Sequence, residues 1–213
     1  MLIIIKQLNI VLMITLTLSI LSYSCGKDKN TSKPCRNGRY SFEVTSKFSP
    51  QKELYSIGDT ILITSSLSKS LFDLVSNQQI NYSNNLGIGG NIGVGLIDSI
   101  NRKFDFATDS FSLVNSKGNY SLGLNNVINI VYNETNSIFE FEIKLIARKK
   151  GKFIIGVSDL SCQGIRNEDC TNAGFSMFVN NSDKHFSILT NANIPNVSID
   201  AQRIATNYCF RVQ

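Results

Sequence analysis

The chain has 213 residues, 42% of them hydrophobic, and a formal net charge of +5 from 21 lysines and arginines against 16 aspartates and glutamates. That excess is modest and spread along the chain, so it gives no reason to expect nucleic acid, whose binding draws on a concentrated basic face. Beyond the N-terminus no run of 18 apolar residues suggests a membrane span, and the remaining length suffices for one domain with a real core.

Lys6 is the only charge in residues 1–24, and Ile10 to Leu21 is a continuous apolar and hydroxyl run of 12 residues. A run of that length suits a signal-peptide core and is too short to cross a bilayer as a helix. Ser22 and Ser24 flank Tyr23 just ahead of Cys25. The segment resembles a bacterial lipoprotein signal, with Cys25 as the lipidated first residue of the mature chain. The match to Leu-small-small-Cys is loose, because Leu21 stands four residues before Cys25 and Tyr23 is not small. The competing reading is an ordinary cleaved signal with a structural cysteine. Two or more acyl chains hold stably, at about 0.8 kcal/mol per buried methylene. Gly26 to Lys33 is polar throughout, so residues 25–34 read as a tether lifting a domain off the bilayer. Glycine at position 26, where an aspartate would favour inner-membrane retention, favours the outer membrane; either face of it fits.

Residues 35–213 read as a single β-sandwich domain. Tyr40, Phe42 and Val44 alternate with Ser41, Glu43 and Thr45, and the pattern returns at Phe139–Leu145, at Phe153–Val157 and at Tyr120, Leu122 and Leu124. Period-two alternation places one face on a core and the other in water. Gly58-Asp59 is a turn ahead of a strand beginning near Ile61, and Arg148-Lys149-Lys150-Gly151 reads as a hairpin turn between two strands. Eight or more short strands punctuated by turns argue for a sandwich or barrel. Helix signals are confined to the C-terminal region, where Asp183 could cap a turn through Leu189 and Ser198 or Asp200 another through Ile204.

Cys35, Cys162, Cys170 and Cys209 make an even number, which in an exported chain suggests disulfides. Cys162 with Cys170 is the favoured local pair and leaves Cys35 with Cys209. That second bridge would set Tyr40–Val44 beside the echoing strand Tyr208–Val212. Zinc is the weaker rival, since there is no Cys-x-x-Cys and His185 is the only histidine. No cofactor is expected.

The segment containing Gly87, Gly89, Gly90, Asn91, Gly93 and Gly95 is the most unusual in composition. It lacks the dinucleotide-binding spacing. It reads either as a binding loop or, preferably, as an irregular connection or glycine-bearing strand. Asp73, Asp98, Asp105 and Asp109, and Asp159, Glu168 and Asp169, match no calcium-loop spacing. His185 has no serine-elbow context and reads as structural. Arg148, Lys149, Lys150 and Lys152 could touch anionic lipid or glycan but read as a solvated tip.

Tyr55-Ser-Ile-Gly58-Asp59-Thr60-Ile61-Leu-Ile63 resembles an early strand of bacterial immunoglobulin-like domains, and Lys150-Gly151-Lys152-Phe153-Ile-Ile155-Gly-Val157 a late one. With the lipoprotein start, the chain resembles small lipoproteins of Bacteroidota that carry such a domain. The resemblance implies an antiparallel β-sandwich and brings no catalytic residues with it; the region from about Ser76 to Thr135 departs from it, being longer and more irregular than a minimal domain of this kind, so the sandwich is expected to be elaborated there. The expected function is therefore a lipid-anchored, non-enzymatic binding or envelope-assembly component with a glycan or envelope-protein partner. The alternative is a polysaccharide hydrolase, which needs two carboxylates flanking a cleft.

Overall fold

Alternation in the sequence becomes alternation in burial along β1 (Tyr40–Ser49), where Phe42, Val44 and Phe48 are buried and Glu43, Thr45 and Lys47 are exposed. A computed structural model describes residues 40–81, 87–163, 172–195 and 197–213. Cys25, Cys35, Glu168, Asp169 and Cys170 lie outside the described residues, as do the signal and tether segments.

Two layers of strands face each other. In the first, β1 is flanked by β3 (Thr60–Ser68), which pairs with β12 (Ile138–Ala147); β12 pairs in turn with β8 (Phe111–Lys117) and the short β11 (Asn133–Glu134). On its other side β1 runs parallel to β15 (Asn172–Val179). In the second layer, β6 (Ile88–Asp98) pairs with β13 (Gly151–Val157) and, at one end, β14 (Leu160–Gln163). Along its other side lie β7 (Lys103–Phe106) and β10 (Ile128–Val131), and β10 pairs with β9 (Asn119–Leu122). β13 continues to β16 (Asn207–Val212), which runs parallel to β2 (Leu54–Tyr55). β14 also pairs with β15 and joins the layers along one side. A separate hairpin, β4 (Ser70–Asp73) with β5 (Gln78–Asn81), leaves the end of β3.

The inner faces meet in one aromatic-rich core. Phe48 of β1 stacks on Tyr208 of β16 at 4.9 Å, and Phe111 of β8 meets Phe153 of β13 edge-on at 5.0 Å. Fully burying side chains of this size contributes about 1.5–3 kcal/mol each. The result is an all-β sandwich, mostly antiparallel and with little helix, as the alternation predicts.

Three local expectations are corrected. The strands flanking Arg148–Lys150 do not pair with each other; β12 pairs within the first layer and β13 within the second, so the turn carries the chain across the core. The echoing strands β1 and β16 do not lie side by side but oppose each other through Phe48 and Tyr208. The alternation through Tyr120 and Leu122 stops there, because Leu124 opens a single 3-10 turn (Leu124–Asn126) and is 91% exposed. Cys209 is fully buried and has no disulfide partner among the described residues; Cys35, its expected partner, lies outside them.

Between β15 and β16 a C-terminal strap carries two short helices, α1 (Ser187–Thr190) and α2 (Ala201–Thr206). Ile188, Leu189 and Ala192 of the strap pack on Ile97, Ile154 and Cys209, which point outward from the second layer, and make a second apolar cluster. Asp200 caps α2 by accepting the Arg203 N–H at 2.8 Å. Asp183 caps its turn by accepting the His185 N–H at 2.7 Å.

Candidate ligand groove

The glycine-rich segment is strand β6, not a loop. Ile88, Ile92 and Val94 are buried in the main core, which leaves Gly89, Asn91, Gly93, Gly95 and Ile97 on the opposite, outward face. The strap covers Ile97 but not the glycines. Register brings further small residues beside them: Gly93 lies opposite Gly156, and Gly156 opposite Asn207. Gly95 lies between Phe106 and Ile154.

The outcome is a groove of about 230 Å³ with a floor of Gly93, Gly95 and Gly156 and walls from Phe104, Phe106, Ile154 and Asn207. A Cβ on Gly93 would meet nothing within 4 Å. Phe106 is 60% exposed, an unusual setting for a phenyl ring. Phe104 shares its face and leans into the strap cluster. Asn207 supplies the polar edge. Its Nδ2 donates to the Arg203 carbonyl and the Thr206 hydroxyl, both at 2.9 Å, which turns Oδ1 over Gly156. Chemically the site offers an aromatic face, an aliphatic wall and one amide acceptor. Pockets that bind by shape with few polar contacts have this character.

A second cleft, of about 490 Å³, lies on the outward face of the first layer, where Thr45, Lys47, Thr64, Ser66, Glu140 and Glu142 line it with Lys117. Lys117 Nζ is 2.7 Å from Glu140 Oε2, and that hydrogen bond raises the lysine's pKa. Glu140 and Glu142 project from one strand on one wall. Glycoside cleavage requires carboxylates on opposite sides of the scissile bond, so this pair does not meet the hydrolase's geometric requirement.

The aspartates each have a local partner. Asp98 accepts from the backbone of Ile100 and Asn101 and from the Asn101 amide, and these bonds hold its pKa below the usual carboxylate range. Asp105 pairs with Lys103 at 3.0 Å and Asp109 with Lys149 at 2.6 Å. Asp159 accepts the Met177 N–H at 3.3 Å. Among the described residues no three His, Cys, Asp or Glu side chains gather to hold a metal. His185 Nδ1 lies 3.0 Å from Asp183 Oδ2, and its ring packs edge-on against Tyr208 at 5.5 Å, so it pins the strap to the sheet.

Phe104, Phe106, Ile154 and Asn207 were not legible as a site from sequence. The available signal was the alternation within β6 itself, isoleucine and valine on one parity and glycine and asparagine on the other, with a further glycine at 156 between inward-facing Ile155 and Val157.

No family model and no curated protein matches the chain. Among solved structures, the human F-spondin reeler domain (fragment 1) is similar at 9% identity over 82% of this chain and 92% of that one, with a TM-score of 0.37. A cohesin module from the Clostridium perfringens ATCC13124 family 33 glycoside hydrolase is similar at 6% identity over 65% of this chain and 98% of that one, with a TM-score of 0.34. A type II cohesin–X-dockerin complex from Acetivibrio cellulolyticus is similar at 12% identity over 65% and 95%, with a TM-score of 0.31. These likenesses identify no family for the chain.

Proposed function

We propose that this protein is a lipid-anchored, non-enzymatic binding component of a bacterial cell envelope. Acyl chains on Cys25 hold it at the outer membrane, and its groove at Gly93, Gly95 and Gly156 recognises an envelope glycan. The anchor is supported by the apolar run ending at Leu21 and by the polar tether after Cys25. The binding reading is carried by one observation, the glycine-floored groove walled by an exposed phenylalanine.

A sugar ring presents a C–H face and a rim of hydroxyls. The face of Phe106 suits the first, because a π-system is negative above its plane and C–H hydrogens are weakly positive. Asn207 Oδ1 suits the second as a hydrogen-bond acceptor. At about 230 Å³ the groove is smaller than the roughly 300–1,000 Å³ of sites that enclose whole ligands. It therefore holds one ring of a longer chain that continues over the surface.

Titration calorimetry with hexasaccharides of β-linked glucose and N-acetylglucosamine and with mannan fragments tests this. Gly93→Leu fills open space, so it blocks the groove without straining the sheet, and Phe106→Ala removes the platform. Binding of one glycan class by the unaltered protein, weakened at least tenfold in both variants, is expected. A protein that binds none of these glycans, or binds them equally well as Gly93→Leu, would sink the glycan reading.

A further inference from the structure

We infer that the β4–β5 hairpin is a second membrane contact, its apolar tip seated in the lipid surface beside the anchor. Phe72, Leu74 and Val75 are 47%, 44% and 52% exposed at or next to its turn. The only charged residue between Ser70 and Asn81 is Asp73, and it is buried at 1% exposure. The surface the hairpin presents is thus uncharged, with an apolar tip and a flank of serine, asparagine and glutamine. Such a surface suits the boundary between acyl chains and headgroups. The backbone is already paired from Ser70↔Asn81 to Asp73↔Gln78, which lowers the cost of placing it in lipid.

The position of the hairpin says what covers it. Leu74 donates its N–H to the Ser41 carbonyl at 2.9 Å, and Asp73 Oδ1 accepts the Ser41 N–H at 2.7 Å. The tip is therefore fixed beside the first described residues of the fold. On the anchor reading, on which the direction of this contact rests, Tyr40 follows the lipidated Cys25 by fifteen positions. The ten residues of β1 extend about 33 Å. On that reading the attachment to the bilayer enters the domain at the end that bears Tyr40 and the hairpin. The basic turn Arg148–Lys150 is at the far end, since β1 runs from Tyr40 to Ser49, Ser49 pairs with Leu62, and Thr60 pairs with Ile146 just ahead of that turn.

The chain has no tryptophan, so a single one reports its own surroundings. The full-length lipidated protein carrying Val75→Trp, in vesicles of phosphatidylethanolamine and phosphatidylglycerol with brominated acyl chains, should show blue-shifted, quenched emission. Ile57→Trp, at the opposite end and on a residue of similar exposure (51%), should not. Flotation of Cys25→Ala on the same vesicles should show weak binding that Leu74→Ser with Val75→Ser abolishes, with an unchanged melting temperature. Equal, unquenched emission at both positions would overturn the hairpin contact. The anchor is read separately, from flotation of the unaltered protein against Cys25→Ala, so failure of either reading is distinguishable from failure of the other.

Discussion

Asp73 Oδ1 accepts the Ser41 N–H at 2.7 Å while its Oδ2 accepts the Ser76 N–H at 2.8 Å, so one buried carboxylate ties the hairpin turn to the first strand. Burial alone would raise its pKa. The N–H groups of Ser41 and Ser76 more than offset that, and its pKa lies below the usual carboxylate value. A folded pKa below the unfolded value of about 3.9 means that the stabilisation is present above that pH and is lost as pH falls through the folded pKa. Asp73→Asn should therefore cost about 1.5–3 kcal/mol at pH 7, the range for hydrogen bonds to a charged group. The deficit should shrink toward pH 3. Urea denaturation of both proteins at the two pH values measures it, and a deficit equal at both would show that the charge contributes nothing.

Cys209 yields a second expectation. Its thiol is buried under the strap against Ile154 and Ile188, and burial pushes its pKa up to about 12. Thiolate is the reactive form, so the native protein should resist alkylation at this position. Peptide mapping after iodoacetamide treatment without reductant should find Cys209 unmodified in the folded protein and modified in urea. Failure to label in urea would mean that Cys209 is in a disulfide, as the cysteine count suggested. Cys209→Ser should cost about 1–3 kcal/mol by burying a hydroxyl among apolar groups.

The groove predicts opposite responses at two glycines that face each other. Gly93→Ala adds a Cβ to open space and restricts the unfolded chain, so it should be neutral or stabilising by about 0.4–1 kcal/mol. A Cβ on Gly156 would lie 2.6 Å from Asn207 Oδ1 and must turn that amide away from its bonds to Arg203 and Thr206. Gly156→Ala should lose roughly 1 kcal/mol, the value of a net hydrogen bond. Thermal denaturation of the pair distinguishes a groove formed by missing side chains from an ordinary stretch of sheet.

The sequence exposes the fold more readily than the groove, and the reason is physical. Phe42, Val44 and Phe48, or Phe139, Phe141 and Ile143, announce a strand because polar residues mark the opposite parity. In β6 the opposite parity is mostly glycine, which has no side chain to signal solvent, so the strand resembles a loop. The groove also depends on Phe106, Ile154 and Asn207, which come together only through pairings of β6 with β7 and of β13 with β16. Periodicity identifies a face but not the neighbour across it. For the same reason Arg148–Gly151 looked like a hairpin: a turn between two clean strands reads alike whether they pair or cross the core.

Gly118 and Gly58 separate two reasons for a glycine. Both have positive φ, +75 and +90. Gly118 turns the chain from β8 in the first layer to β9 in the second, and its carbonyl accepts the Asn115 amide at 2.6 Å. A Cβ there would meet the Val131 carbonyl oxygen at 2.4 Å and the Phe141 ring at 3.1 Å, whereas at Gly58 it would meet nothing within 4 Å. Gly58→Ala should thus cost only the backbone preference, about 1–2 kcal/mol. Gly118→Ala should cost that plus displacement of β10 backbone, and so exceed Gly58→Ala by at least about 1 kcal/mol. Asparagine tolerates the left-handed region, so Gly58→Asn should recover most of the loss and Gly118→Asn should not. Equal costs at the two sites, or equal rescue by asparagine, would show that the crossing at Gly118 has room to spare and that β8 and β9 are not held by this contact.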